Sequence, residues 1–162
     1  MARIKVLFVC LGNICRSPLA EAIFKHKIQN NGLHQHIEAD SCGTSNYHIG
    51  DTPDERTIAN ALENGVTINH RGRQLTTTDL EEFDFILAMD TSNYRNILSL
   101  PGAEVHQHKI FMTRSFDSSD DHLEVPDPYY GGPRGFQEVF EILDRSTDGF
   151  IAHLKQQLTH RL

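Results

Sequence analysis

The chain opens on a sharp change of hydrophobic period. Val6-Leu7-Phe8-Val9 is apolar without alternation, which reads as a strand buried on both faces, as in a parallel sheet. From Pro18 onward Leu19, Ala22, Ile23 and Ile28 fall on one side of a helix over 18–31, ended by Asn31-Gly32. A second strand over 36–41 (HIEADS) then makes a βαβ crossover. Thr52, Pro53 and Glu55 occupy cap, first-turn and capping-box positions of a helix reaching 64–65, with Ile58, Ala61 and Leu62 inward. Thr78-Asp79 opens a short helical turn, and 84–89 (DFILAM) reads as a third buried strand. Asp90 caps a helix over 91–100 that Pro101-Gly102 breaks, and 109–112 supplies a fourth strand. An acidic loop over 115–124 follows. The most periodic stretch is last: Phe136, Val139, Phe140, Leu143, Phe150, Ile151, Leu154 and Leu158 predict a long amphipathic helix over 136–158. Lys155 and Arg161 stand near its negative end. Strands alternating with helices in this way predict an α/β fold.

Chemistry concentrates where the first strand meets the first helix. Cys10 closes the apolar run, Gly12 and Asn13 tolerate positive φ, and Arg16, Ser17 and Pro18 lead into the helix. In so tight a loop the backbone N–H groups of Leu11, Gly12, Asn13, Ile14, Cys15 and Arg16 can converge on one centre, a nest for oxyanions. The helix start adds its unpaired N–H groups and the positive end of its dipole. Arg16 can grip two oxygens with its planar fork. The same features stabilise negative charge on a sulfur at the centre, so Cys10 reads as a thiolate nucleophile aimed at phosphorus. Ser17 can donate a hydrogen bond to that sulfur and ease its later departure. No GxxxxGK[ST] loop is present, so the cradle is not of the ATP- or GTP-binding type.

Composition narrows the setting. A chain of 162 residues has the size of one domain, residues 1–162, with a real core. A net charge of −7 argues against wholesale binding of nucleic acid or anionic membrane, so an anion must meet a local positive pocket. Three cysteines without framework spacing suggest a reducing, cytoplasmic setting. The basic and apolar start mimics a short signal peptide but lacks a small-x-small cleavage site, and no stretch reaches transmembrane length. Ten histidines give pairs such as His34/His36 and His106/His108 without partners at ligand spacing, so no metal site and no cofactor are expected. Cys42 reads as a buried thiol. Arg71 and Arg73 either aid capture of phosphorylated segments or are solvated, the second reading being preferred.

CLGNICRSP near the N-terminus, Asp40-Ser41, and DPYYG at 127–131 together resemble the low-molecular-weight protein tyrosine phosphatases, along essentially the whole chain. The resemblance implies a three-layer domain with a four-stranded parallel sheet in order 2-1-3-4, flavodoxin- or Rossmann-like. It implies metal-free hydrolysis of phosphotyrosine and aryl phosphates through a phosphocysteine. Cys10, Arg16 and Asp127 carry over as nucleophile, phosphate clamp and general acid. The chemistry agrees for Asp127: a departing phenoxide needs a proton, and a carboxyl held between two prolines on a loop near the cradle can give it. Ser41, Asn13 and His70 are implied to hydrogen-bond together and hold the loop in shape. Tyr47, Tyr129 and Tyr130 are implied to wall a pocket deep enough to favour an aryl phosphate; the family often has Trp where Tyr47 stands.

Implied partners are phosphotyrosine proteins or small aryl phosphates, with phosphate and vanadate as inhibitors. Cys15, on the same loop as Cys10, is expected to form a reversible disulfide with it under peroxide. An arsenate reductase would need a cysteine relay, and only Cys42 lies outside the loop. A protein-arginine phosphatase of this kind carries Thr where this chain has Ile14. A non-catalytic phosphotyrosine-binding module should lack the nucleophile or the acid.

Overall fold

In the computed structural model, which describes residues 3–118, 123–129 and 132–161, four parallel strands form one sheet in the order β2-β1-β3-β4. They are β1 (Ile4–Cys10), β2 (Ile37–Gly43), β3 (Phe85–Ala88) and β4 (Ile110–Met112). The α/β class and the strand order both agree with the sequence reading. The register pairs Cys10 with Gly43 at one end of β1, while Val6–Val9 pair with Phe85–Ala88 on the other side.

Val6, Leu7, Phe8 and Val9 are completely buried, because successive side chains enter different layers. Val6, Phe8 and Cys10 face α1 (Arg16–Asn30) and α5 (Pro133–Arg161), where Phe8, Phe24 and Phe150 stack in series with centroids 5.6 Å apart. Leu7 and Val9 face the opposite layer, which includes Leu80 of α3 (Thr77–Glu82) and Ile97 of α4 (Thr91–Leu98). Burying a side chain such as Phe8 contributes roughly 1.5–3 kcal/mol. A strand apolar on both faces therefore holds the end that carries Cys10.

Several boundaries differ from expectation for local reasons. α1 begins at Arg16 rather than residue 18, which leaves Pro18 in the first turn, where a missing N–H costs nothing. α2 (Glu55–Glu63) is capped by Asp54, whose side chain accepts from Arg56 N, and not by Thr52. The Asp54 N–H is held by Ile14 O at 2.8 Å, which keeps residue 54 outside the helix. The buried face of α2 is Thr57 and Ala61, and Leu62 is exposed. α3 carries a reciprocal capping box between Thr76 and Asp79. α5 starts at Pro133, a favoured first helical residue. Part of the expected loop over 115–124 lies outside the described residues, and its beginning is the end of a 3₁₀ turn, Thr113–Phe116. Among the described residues no helix is long and apolar enough to cross a membrane.

Candidate active site

β1 delivers Cys10 to the sheet edge, and the chain then wraps once around its sulfur before α1 begins. The wrap is held from outside by its carbonyls. Thr44 N donates to Cys10 O at 2.9 Å, Ser45 N to Leu11 O at 3.0 Å, and Asp54 N to Ile14 O at 2.8 Å. With those carbonyls engaged outward, the N–H groups are left for the interior of the loop. Asn13 N donates to Cys10 Sγ at 3.3 Å, and Ser17 Oγ lies 2.9 Å from the same sulfur. Cys10 and Arg16 are each 3 % exposed, so the guanidinium acts in a poorly solvated place where its charge counts for more.

Asn13 is the keystone of the loop, at φ 59°, a conformation Asn tolerates better than most side chains. Its Nδ2 donates to Ser17 Oγ at 2.8 Å and to Ser41 Oγ at 3.0 Å. Its Oδ1 accepts from Arg73 N at 3.1 Å and meets His70 Nε2 at 2.7 Å. Ser41 and His70 are thus in contact with Asn13 and, at 3.3 Å, with one another. Behind them stands Glu21, a buried carboxylate on α1 that sequence reasoning passed over. Its Oε1 accepts from Ser41 Oγ at 2.6 Å and lies 3.1 Å from His70 Nδ1, and Lys25 pairs with its other oxygen. Arg73, read as solvated, is instead locked: Nε bonds Asp40 at 2.9 Å and the two terminal nitrogens bond Asp79 at 2.9 and 3.1 Å. Arg71 stays exposed, donating to Gly50 O at 3.3 Å.

Gly43 shows how tightly the loop is backed. A Cβ there would stand 2.6 Å from Leu11 O and 3.1 Å from Asn13 N, both backbone atoms that cannot step aside. Gly43→Ala is therefore expected to cost about 1–3 kcal/mol of stability, as overpacking does, and to weaken phosphate binding as well. Thermal melts with and without phosphate check both effects.

Arg16 is positioned from far along the chain. Its Nη1 donates to Asp90 Oδ2 at 2.8 Å and to Val125 O at 2.9 Å, and its Nη2 lies 3.8 Å from Asp127 Oδ2. Asp90 caps α4 through Asn93 N at 2.7 Å, as expected, but its second oxygen fixes the guanidinium. Val125 is itself hung from the end of β3 by its N–H to Met89 O at 2.8 Å. Asp127 is thereby held near Arg16, with its Oδ1 accepting from Tyr129 N at 3.0 Å. Arg56 lies over the rings of Tyr129 and Phe136, at 5.4 and 4.7 Å, which steadies that wall.

These parts enclose a cavity of about 230 Å³ with Cys10 and Arg16 at its base. Tyr47, His48, Asp127 and Tyr129 form its sides. It falls below the roughly 300–1,000 Å³ of drug-sized sites and suits one ring and one phosphate. His48, absent from the sequence reading, is held by Asp51 Oδ2 at 3.1 Å; only its place over the loop reveals it. Tyr130 lies outside the described residues. Cys10, Cys15 and Cys42 are all buried free thiols. Burial pushes the Cys15 thiol up to about 12, and Cys42 well above its ordinary value.

A family model described as low molecular weight phosphotyrosine protein phosphatase matches residues 5–160. The chain is 44 % identical over 149 residues to a low molecular weight phosphotyrosine protein phosphatase of Schizosaccharomyces pombe, covering 91 % of this chain and 95 % of that one. Its fold superposes on a crystal structure of a protein tyrosine phosphatase from Entamoeba histolytica with a TM-score of 0.91 at 41 % identity, over 95 % and 98 % of the two chains. An arginine phosphatase from Drosophila also matches, with a TM-score of 0.82 at 32 % identity over 94 % and 98 %. Matches that run nearly end to end, by sequence and by fold alike, mean that the chain belongs to the low molecular weight phosphotyrosine protein phosphatase family and is a metal-independent cysteine phosphatase.

Proposed function

We propose that Cys10, Arg16 and Asp127 carry the hydrolysis of phosphotyrosine in this chain. The observation that supports this reading best is the meeting of Arg16 with Asp90, Val125 and Asp127 directly beside the Cys10 loop. The phosphoryl group enters the loop, where the amides and the guanidinium hold its equatorial oxygens through a loose transition state. Cys10 Sγ attacks phosphorus as the bond to the phenolic oxygen breaks, and Asp127 protonates that oxygen. Asp127 then takes a proton from the water that attacks phosphocysteine, releasing phosphate and the thiolate. Ser17, in contact with the sulfur, stabilises it as the leaving group. Asn13, Ser41 and His70 keep the loop in shape.

Tyr47 and Tyr129 are the aryl-facing walls in this reading, and substrates are phosphotyrosine proteins or small aryl phosphates. Ile14 also lines the cavity, where an apolar side chain suits a ring better than a guanidino group. The working compartment is the cytoplasm, with neither nucleic acid nor membrane as partner. Turnover of p-nitrophenyl phosphate without added metal, competitively inhibited by vanadate, tests the whole reading; binding of vanadate without turnover would contradict it.

Cys15 serves as the resolving thiol. Peroxide converts the Cys10 thiolate to a sulfenic acid; Cys15 then attacks that sulfur, and water leaves as the disulfide forms. Mass analysis after brief peroxide treatment should find a Cys10–Cys15 disulfide that thiols reverse with recovery of activity. Only sulfonic acid at Cys10 would contradict it.

A further inference from the structure

A second groove adjoins the catalytic cavity across a ridge made by Leu11 and Tyr47, which line both. Its other walls are the segment after β2, the Gln74-Leu75 pair and the end of α4. Among the described residues, none that lines it is Asp, Glu, Lys, Arg or His. The lining combines Leu75 and Leu100 with the carboxamide of Asn96 and with Ser45 and Gln74, whose donors are turned to the backbone.

We propose that this groove seats the residue beside the phosphotyrosine of a peptide substrate and selects an uncharged side chain there. The inference rests on the phosphatase reading and extends it to substrate choice. The ridge and groove are built as one piece with the phosphate loop. Ser45 donates to Leu11 O through both its N–H and its Oγ, each at 3.0 Å, and Gln74 Nε2 donates to Thr44 O at 3.3 Å. Leu75 N donates to Gly43 O at 2.8 Å.

Because Leu11 and Tyr47 line both spaces, a peptide whose phosphotyrosine fills the cavity lays its neighbouring residues against the ridge they make. The ridge itself is an apolar surface awaiting cover: Leu11 is 43 % and Tyr47 73 % exposed. A charged side chain would lose hydration there and find no opposite charge among the described lining residues.

The test compares kcat/KM for phosphotyrosine peptides carrying Gln, Glu or Lys at the positions flanking the phosphotyrosine, alongside p-nitrophenyl phosphate. The unmodified protein should favour the Gln peptides over both charged sets by about fivefold or more. Asn96→Asp should turn the preference toward the Lys peptides and Asn96→Lys toward the Glu peptides, while p-nitrophenyl phosphate stays within about twofold of the starting value. Indifference of the unmodified protein to flanking charge, or variants that shift peptide and p-nitrophenyl phosphate in parallel, would overturn the groove assignment. Failure of the unmodified protein to hydrolyse p-nitrophenyl phosphate would instead contradict the catalytic reading on which it rests.

Discussion

Cys10→Ser is expected to fold, bind oxyanions and do no chemistry. The substitution keeps the size of the side chain and leaves Arg16 with its three partners and Asn13 with its hydrogen bonds. It replaces a sulfur that the loop can hold as an anion by a hydroxyl, for which Ser17 Oγ and Asn13 N offer no base. Turnover should fall by at least about 10⁴-fold, the scale on which loss of a nucleophile acts in other covalent enzymes. Vanadate or phosphate affinity should change far less, because the amides and guanidinium are untouched. Stopped turnover with retained binding, measured by calorimetry on the same preparation, is the pattern to look for; measurable hydrolysis near the original rate would end the nucleophile assignment.

Asp127→Ala is the second large effect. It removes a carboxyl that faces Arg16 at 3.8 Å and orders Tyr129 N at 3.0 Å. A lost general acid lowers the rate by roughly 10²–10⁴-fold. The loss should depend on the leaving group, since a phenol of high pKa needs the proton more than p-nitrophenol does. Phenyl phosphate should therefore suffer more than p-nitrophenyl phosphate. A uniform loss across leaving groups would mean that Asp127 serves only to hold the wall in place.

The parts of the site that are contiguous in the chain could be read before any coordinates. Cys10 to Ser17 is one loop whose residue types state its chemistry, and β1 declares its double burial through four apolar residues in a row. The strand order came from the family resemblance rather than from periodicity. What stayed hidden depends on contacts between distant segments. Asp90 lies 74 residues from Arg16, and its capping of α4 was already reason enough for an Asp there. Arg73 reads as solvated because nothing local announces Asp40, 33 residues earlier. Glu21 sits on what looks like the polar side of α1, yet α1 is covered on that side by the segment carrying His70. Leu62 misled in the opposite sense: helical spacing placed it inward, but α2 docks through Thr57 and Ala61. Periodicity identifies which residues can share a face, and tertiary docking decides which face is used.

The covalent step is the heart of the account. Rapid denaturing quenching at alkaline pH during turnover of p-nitrophenyl phosphate, followed by peptide mapping, should recover phosphate on the peptide bearing Cys10. Full turnover with no phosphate on that peptide at any quench time would contradict it.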